Sequence, residues 1–412
     1  MPSHYPDDIE RHINANVLAG KDGFLFLWQG SQKQFDYLTG LAKPSEKSIK
    51  NFSNNIKSRK SYLDRYGIEY RHIVFPSKPT VYDDHLPCEL KLRSLYETYY
   101  PKIDNVFYSK KLLCKQKFNG LKPFRTLDTH LTDYGFLSCL KDALPDEFQS
   151  IRGQNYTYKA VKKMLSGDLE KMIRKGDKLT VPENVMKAFD SYGSSIIFEE
   201  YDNIQDLPGN TGNIVIVRSL NSFNNKRLLV FGDSFIRKGL HLLSPIYSEI
   251  IYFRSQFFRP EIVNIFRPNI VITANAERYL STVQSDEESP FWCCSDFKNS
   301  SELSGNKNSM RLLFHLRGLS NRYFDNDQYQ LYLENSSYSL RQIINSHQLP
   351  IDRWLKDPVQ GSVSQNIINI INSGNLDSLR QIKFDPVERT SPSNGSIRSL
   401  AGYVYRGDIN TK

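Results

Sequence analysis

Arg227-Leu-Leu-Val-Phe231-Gly232-Asp233-Ser234-Phe235 is the stretch on which the fold turns. A short apolar run is cut off by glycine, then by two residues of helix-capping type. A run of this kind reads as a strand buried on both faces, and the residues after Ser234 read as helix. Strand–turn–helix units belong to parallel sheets, where ligands and catalytic groups collect at the carboxyl ends of the strands. Ser234 then stands in the first helical turn, beside backbone N–H groups able to hold an oxyanion. Gly232 lets the chain turn sharply or lets a substrate come close. A second reading stays open, in which Asp233 or Ser234 is only an N-cap.

Working outward, the same alternation recurs. Downstream, 250–253 reads as a strand, 260–266 as a helix and 269–273 as a strand. Upstream, 214–217 is apolar, 17–28 is a turn feeding a buried strand, and 72–75 is a strand entering a polar loop. Ile49, Phe52 and Ile56 give 45–66 a helical period that Gly67 can end. A further strand lies near 106–108. Residues 125–143 read as a strand end, a polar loop around Asp128-Thr-His130, and a helix capped by Thr132 or Asp133 with Leu137 and Leu140 inward. Strands alternating with helices predict an α/β fold of three layers, α/β/α, around a mainly parallel sheet. The polar stretch 150–210, with a Lys-rich helical part near 158–175 and a strand near 195–198, reads as an insertion or lid. The expected organisation is a catalytic domain over 1–285, a linker over 286–310 and a mainly helical C-terminal extension over 311–412. That extension has helical patches at 339–346 and 365–371 and a strand at 400–405.

Composition narrows the partners. The net charge is +9, from 54 Lys and Arg against 45 Asp and Glu, and it is spread along the chain. Such an excess suits an anionic partner, an acidic glycan or a nucleotide cofactor. No nucleic-acid-binding signature is present, so no nucleic-acid partner is expected. The 24 Tyr and 24 Phe mostly fill the core, and some suit stacking on sugar rings. Cys88, Cys114, Cys139, Cys293 and Cys294 are odd in number and lack zinc-site spacing, so they read as reduced thiols, with no metal site. The N-terminus lacks the pattern of a signal peptide, and no stretch reaches the about 18 apolar residues of a membrane span. This implies a cytoplasmic protein without a transmembrane segment, or a periplasmic one whose export signal has been trimmed away.

A serine nucleophile needs a base, and the base needs an orienting acid. Among eight histidines, His130 has Asp128 two residues away, and in extended chain i and i+2 project to one side. The alternative is a surface Asp-Thr-His turn. Lys78 and Arg254 follow strands and read either as contacts to an anionic substrate or donor, or as solvated side chains. Asn275, after a strand, is a candidate oxyanion donor. Glu277 and Arg278 read as a structural pair, and His72, His85 and His241 as structural or surface residues.

Five blocks, taken in order, resemble a known family. They are Gly20-Lys-Asp-Gly-Phe-Leu-Phe26; Phe75-Pro-Ser-Lys78 with Tyr82 and Leu86-Pro87; Asp128-Thr-His130-Leu131-Thr132; Phe231-Gly-Asp-Ser-Phe235; and Ala276-Glu-Arg-Tyr-Leu280. They are similar to the SGNH-hydrolase-like domain of the alginate O-acetylation (AlgX/AlgJ-like) family of polysaccharide O-acetyltransferases, over roughly residues 15–285. In that family the Asp-x-His block precedes the serine, as here. Phe24 and Leu131 stand where the family has tryptophan, which leaves the fold as expected and bears on the shape of the acyl or sugar pocket. The resemblance implies that Ser234 is acylated, that His130 is general base and acid, and that Asp128 orients His130. It implies acetyl transfer to a hydroxyl of a bacterial surface polysaccharide, with acetyl-CoA as the donor suited to a cytoplasmic member and no resident cofactor. Partner enzymes of polysaccharide synthesis go with that role. The alternatives are a carbohydrate esterase with the same triad and a non-catalytic glycan-binding protein on the same scaffold.

Overall fold

The structure, a computed structural model, describes residues 5–288 apart from 7, 151–155, 175, 177–178, 191–195, 202–213, 220–221 and 267, together with 382–387 and 404–409. The chain opens with a small antiparallel sheet of β1 (Ile13–Asn14), β2 (Val17–Ala19) and β3 (Leu25–Leu27). Next come α1 (Gln34–Thr39), α2 (Glu46–Asp64), β4 (Glu69–Phe75), α3 (Lys78–Val81), α4 (Leu95–Tyr99), β5 (Val106–Phe107), α5 (Lys110–Phe118), α6 (Asp133–Ala143) and α7 (Pro145–Ser150). A two-stranded antiparallel ladder, β6 (Tyr156–Leu165) and β7 (Val181–Asp190), encloses α8 (Asp168–Ile173). After it come β8 (Ile196–Tyr201), β9 (Ile214–Ser219), β10 (Arg227–Gly232), α9 (Ser234–Leu243), β11 (Glu249–Arg254), α10 (Pro260–Phe266) and β12 (Ile270–Ala276). Far along the chain, β13 (Ile382–Val387) pairs antiparallel with β14 (Val404–Ile409).

The central sheet has seven strands in the order β5-β4-β12-β10-β11-β9-β8. The first five run parallel, and β9 and β8 continue the sheet antiparallel. The sheet is thus mainly parallel, as the alternation of elements predicts. In β10, Leu228, Leu229 and Val230 are fully buried, each worth about 1.5–3 kcal/mol relative to exposure. Strand alternation divides them between two layers. Leu228 and Val230 join the large core containing Phe136, Leu140, Phe235 and Leu240 from α6 and α9. Phe231 turns to the other face, against the rings of Phe253 and Phe258 at 5.7 Å each. His72 on β4 turns the same way and meets Phe52 of α2 at 5.4 Å. Among the described residues no helix is long and apolar enough to cross a membrane.

Two expectations are corrected. The Lys-rich part over 158–165 is strand, with only Asp168–Ile173 helical. Its lysines signal solvent exposure, and Tyr156-Thr-Tyr and Val161 carry the β preference that decides the local structure. No strand runs directly into Asp128; the chain there is a loop closed by a single bridge between Phe124 and Leu131. The helical patches expected at 339–346 and 365–371 lie outside the described residues, as do the 289–310 part of the linker, Cys293 and Cys294.

Candidate active site

The site forms where two loops meet at the carboxyl end of the sheet. After β10, Gly232 has no room for a side chain, because a Cβ would stand 2.6 Å from the Ala274 carbonyl oxygen and from the Ile236 side chain. Close approach to β12 and α9 therefore explains this glycine, rather than approach of a substrate. Asp233 caps α9, accepting from the Phe235 N–H at 2.9 Å, and its second oxygen accepts from the Ala276 N–H at 2.7 Å. The cap and the candidate nucleophile are thus adjacent residues. Because Asp233 does the capping, Ser234 is the first helical residue, and its hydroxyl is left at the positive end of the helix.

The second loop is residues 124–131. Its carbonyls point inward and need donors. Lys78, only 4% exposed, supplies them: its three ammonium N–H groups are shared among four carbonyls, those of Arg125 at 2.7 Å, Thr126 at 2.9 Å and Asp128 at 3.0 Å in the loop and that of Leu25 at 2.6 Å in β3. The rings of Phe24 and Phe26 lie 5.2 Å from it. Burial pushes its pKa down to about 7, against the pull of Asp128 and neighbouring carboxylates. Lys78 is neither a solvated side chain nor an anion contact; it holds the loop together.

That loop presents Asp128 and His130, both buried. Asp128 Oδ1 accepts from the His130 backbone N–H at 2.9 Å and faces His130 Nδ1 at 2.6 Å. A carboxylate only accepts, so Nδ1 carries the proton and Nε2 is left as acceptor. Nε2 lies 2.9 Å from Ser234 Oγ. Burial opposes ionisation of Asp128, but its hydrogen bond and charge interaction with His130 outweigh this and hold the carboxyl well below the usual carboxylate range. The Phe235 ring packs on the imidazole at 4.6 Å. The structure therefore brings Asp128, His130 and Ser234 into one hydrogen-bonded line, the geometry that a serine acyl transfer calls for.

Asn275 is not among them. It lines the cavity on the α2 side of the sheet with Phe52, Arg59 and His72, and its carboxamide donates to the Ala276 carbonyl. Period-two alternation on β12 sends it to the face opposite Ala274 and Ala276. Arg254 ends β11 beside Gly232, and its Nε is buried with no hydrogen-bond partner. Glu277 is fully buried and accepts from Ser77 N–H, Ser94 Oγ–H, Tyr96 N–H and Tyr108 O–H, so its role is structural. Arg278 stacks over Phe235 at 5.3 Å, and both line a cleft beside the triad with Ser77 and Thr129.

Sequence reasoning missed Asp168. Its Oδ1 accepts from the Thr129 N–H at 2.7 Å, and its Oδ2 lies 3.4 Å from His130 Nδ1. Nothing in its spacing from position 128 or 130 signals this; the Gly167-Asp168 pair marks a helix start and no more. Asp128, His130 and Asp168 hold three potential ligand atoms within 4.8 Å of one another. In this arrangement Nδ1 and Asp128 are engaged with each other.

No family model matches the chain, and no curated protein matches its sequence. Solved structures are similar to it. PatB1 of Bacillus cereus has a TM-score of 0.44 and 13% identity, covering 64% of this chain and 96% of its own. A DHHW family protein from Eubacterium siraeum has a TM-score of 0.43 and 13% identity, covering 67% of this chain and 95% of its own. The O-acetyltransferase domain of Pseudomonas putida AlgJ has a TM-score of 0.41 and 16% identity, covering 66% of this chain and 94% of its own.

Proposed function

We propose that the chain is a serine O-acetyltransferase that moves an acetyl group onto a hydroxyl of a polysaccharide. The observation that carries this reading is the line from Asp128 through His130 to Ser234 at the start of α9. His130 Nε2 takes the Ser234 proton as Oγ bonds to the donor carbonyl carbon. The backbone N–H groups at the start of α9 hold the oxyanion. The tetrahedral intermediate collapses, the donor's leaving group departs with the proton from Nε2, and acetyl-Ser234 remains. A sugar hydroxyl then gives its proton to Nε2, its oxygen takes the acetyl group, and Ser234 recovers its proton. Asp128 keeps Nδ1 protonated and balances the transient imidazolium. The donor is an activated acyl ester or thioester, acetyl-CoA being the soluble member of that class. O-acetyl transfer is also the activity named for the AlgJ domain.

The test is intact mass after brief exposure to an aryl acetate. One acetyl adduct on Ser234, absent in Ser234→Ala and His130→Ala, is expected, with transfer to added oligosaccharide faster than loss to water. Loss to water alone would make the protein an esterase. A folded wild type that forms no adduct and turns over no aryl acetate would sink the reading.

A further inference from the structure

We propose that Asp168, carried in by the β6–β7 segment, is a positioning residue for the triad. It fixes the Thr129–His130 stretch and sets a second carboxylate on the Nδ1 side of the base. The inference rests on the serine acyl-transfer reading and deepens it.

Asp168 grips Thr129 twice, accepting from its N–H at 2.7 Å and from its hydroxyl at 2.5 Å. Thr129 Oγ1 stands 3.3 Å from His130 Nδ1, and Asp168 Oδ2 stands 3.4 Å from the same nitrogen. The Asp168 backbone N–H donates to Asp128 Oδ2 at 3.3 Å, so one residue touches both the acid and the base's neighbour. The grip is built into the backbone. A Cβ on Gly167 would stand 1.7 Å from the Leu127 carbonyl oxygen, which makes glycine a condition of this approach. The Glu170 N–H donates to the same carbonyl at 3.3 Å, and buried Glu183 on β7 accepts from the Thr126 N–H at 3.0 Å. The β6–β7 segment, part of the stretch read as an insertion or lid, therefore braces the loop that holds His130.

The grip has two effects. The geometric one is the larger, because the Asp168 side chain is 39% exposed and solvent screens its charge. Restricting Thr129 restricts the ring that follows it, and misplacing a reacting group by about 1 Å costs up to about a hundredfold in rate. The electrostatic effect adds negative potential where the imidazolium forms. It is opposed by Lys238, whose ammonium lies 3.5 Å from Asp128 Oδ2.

The experiment compares Asp168→Asn, which keeps an acceptor for Thr129 without the charge, with Asp168→Ala, which removes both. Acetylation of Ser234 by aryl acetate is timed by mass. The tautomer of His130 is read from ¹⁵N shifts in histidine-labelled protein, with His130→Ala assigning the signal. Acetylation about tenfold slower in Asp168→Asn and about a hundredfold slower in Asp168→Ala is expected, with the KM for the ester unchanged. The Nδ1–H tautomer should dominate in the wild type and give way in part to Nε2–H in Asp168→Ala. Wild-type rates and an unchanged tautomer in Asp168→Ala would overturn the proposal. Should that variant lose its fold, Thr129→Val, which deletes only the hydroxyl link, takes its place. A wild type that does not acetylate defeats the acyl-transfer reading itself; the tautomer then decides for or against positioning.

Discussion

Two histidines lie on opposite faces of the central sheet, and the contrast between them shows what suits one of them to the role of base proposed for it. Both are buried. His130 has a carboxylate at 2.6 Å on Nδ1 and a serine hydroxyl at 2.9 Å on Nε2. His72, on the α2 side, has Thr273 Oγ1 at 2.7 Å on Nδ1, and its Nε2 is buried with no hydrogen-bond partner. The guanidinium of Arg59, itself paired with Asp286 at 2.7 Å, also opposes its protonation. A larger cavity lies on this side than beside the triad, yet it holds no nucleophile–base–acid arrangement. Burial, reinforced by a neighbouring cation, keeps an imidazole neutral. Burial with an ionised acid behind it makes a base that can carry a transient positive charge.

The sharpest way to break this contrast is to remove the acid. Asp128→Asn keeps the shape but lets the ring settle in the wrong tautomer. Acetylation of Ser234 should fall on the order of 10³–10⁴-fold, measured by the rate of adduct formation. The matching change on the other face, His72→Gln, should leave that rate within about threefold. A large loss in both would mean that the two faces work as one site.

The second test is stability against pH. Burial first, and then the charge of Arg59, pushes the His72 pKa down to about 3 from its ordinary 6.5. In the unfolded chain His72 takes a proton below about 6.5; in the folded protein it stays neutral until about 3. The unfolded state thus binds the extra proton between these values. The stability held by neutral His72 is complete above about pH 6.5 and is lost as the pH falls toward 3. The loss should be a few kcal/mol across the window, read from urea midpoints at several pH values. In His72→Gln the slope between pH 6.5 and 4 should flatten relative to the wild type. Equal slopes would show that His72 is protonated inside the fold.

How much of this was legible in the sequence divides along the same line. The placing of Ser234, Asp128 and His130 was readable because its signals are local. An apolar run ending in Gly-Asp-Ser sets a strand and a helix start, and Asp128 and His130 are two residues apart on one loop. The parallel core strands, buried on both faces, were readable from their apolar runs. What could not be read depends on chain segments that meet only in three dimensions. Asp168 reaches Thr129 across 39 residues. Lys78 followed a strand, as a ligand-binding lysine does, and only the inward-facing carbonyls of residues 125–128 reveal its structural role. Asn275 sat at the right end of the right strand, and period-two alternation put it on the wrong face. The 158–165 stretch failed for a different reason, since its lysines obscured strand-forming residues.

The smallest expected effect sharpens the comparison most, because it asks whether the faces are energetically separate. Thr273 shares one hydroxyl between Tyr70 Oη at 2.8 Å and His72 Nδ1 at 2.7 Å. Thr273→Val preserves shape and deletes that link, so it should cost about 1–2 kcal/mol of stability in a urea titration and leave Ser234 acetylation unchanged. Thr129→Val removes the corresponding hydroxyl beside His130, which Asp168 holds from a partly exposed position. There the order should reverse: about a tenfold loss of acetylation rate with less than about 1 kcal/mol of stability, because the loop backbone still has Lys78 and Glu183 as donor and acceptor. If Thr273→Val also slowed acetylation, β12 would be passing strain from one face to the other. That would have to travel through Ala274 and Ala276, whose backbone abuts Gly232 and Asp233.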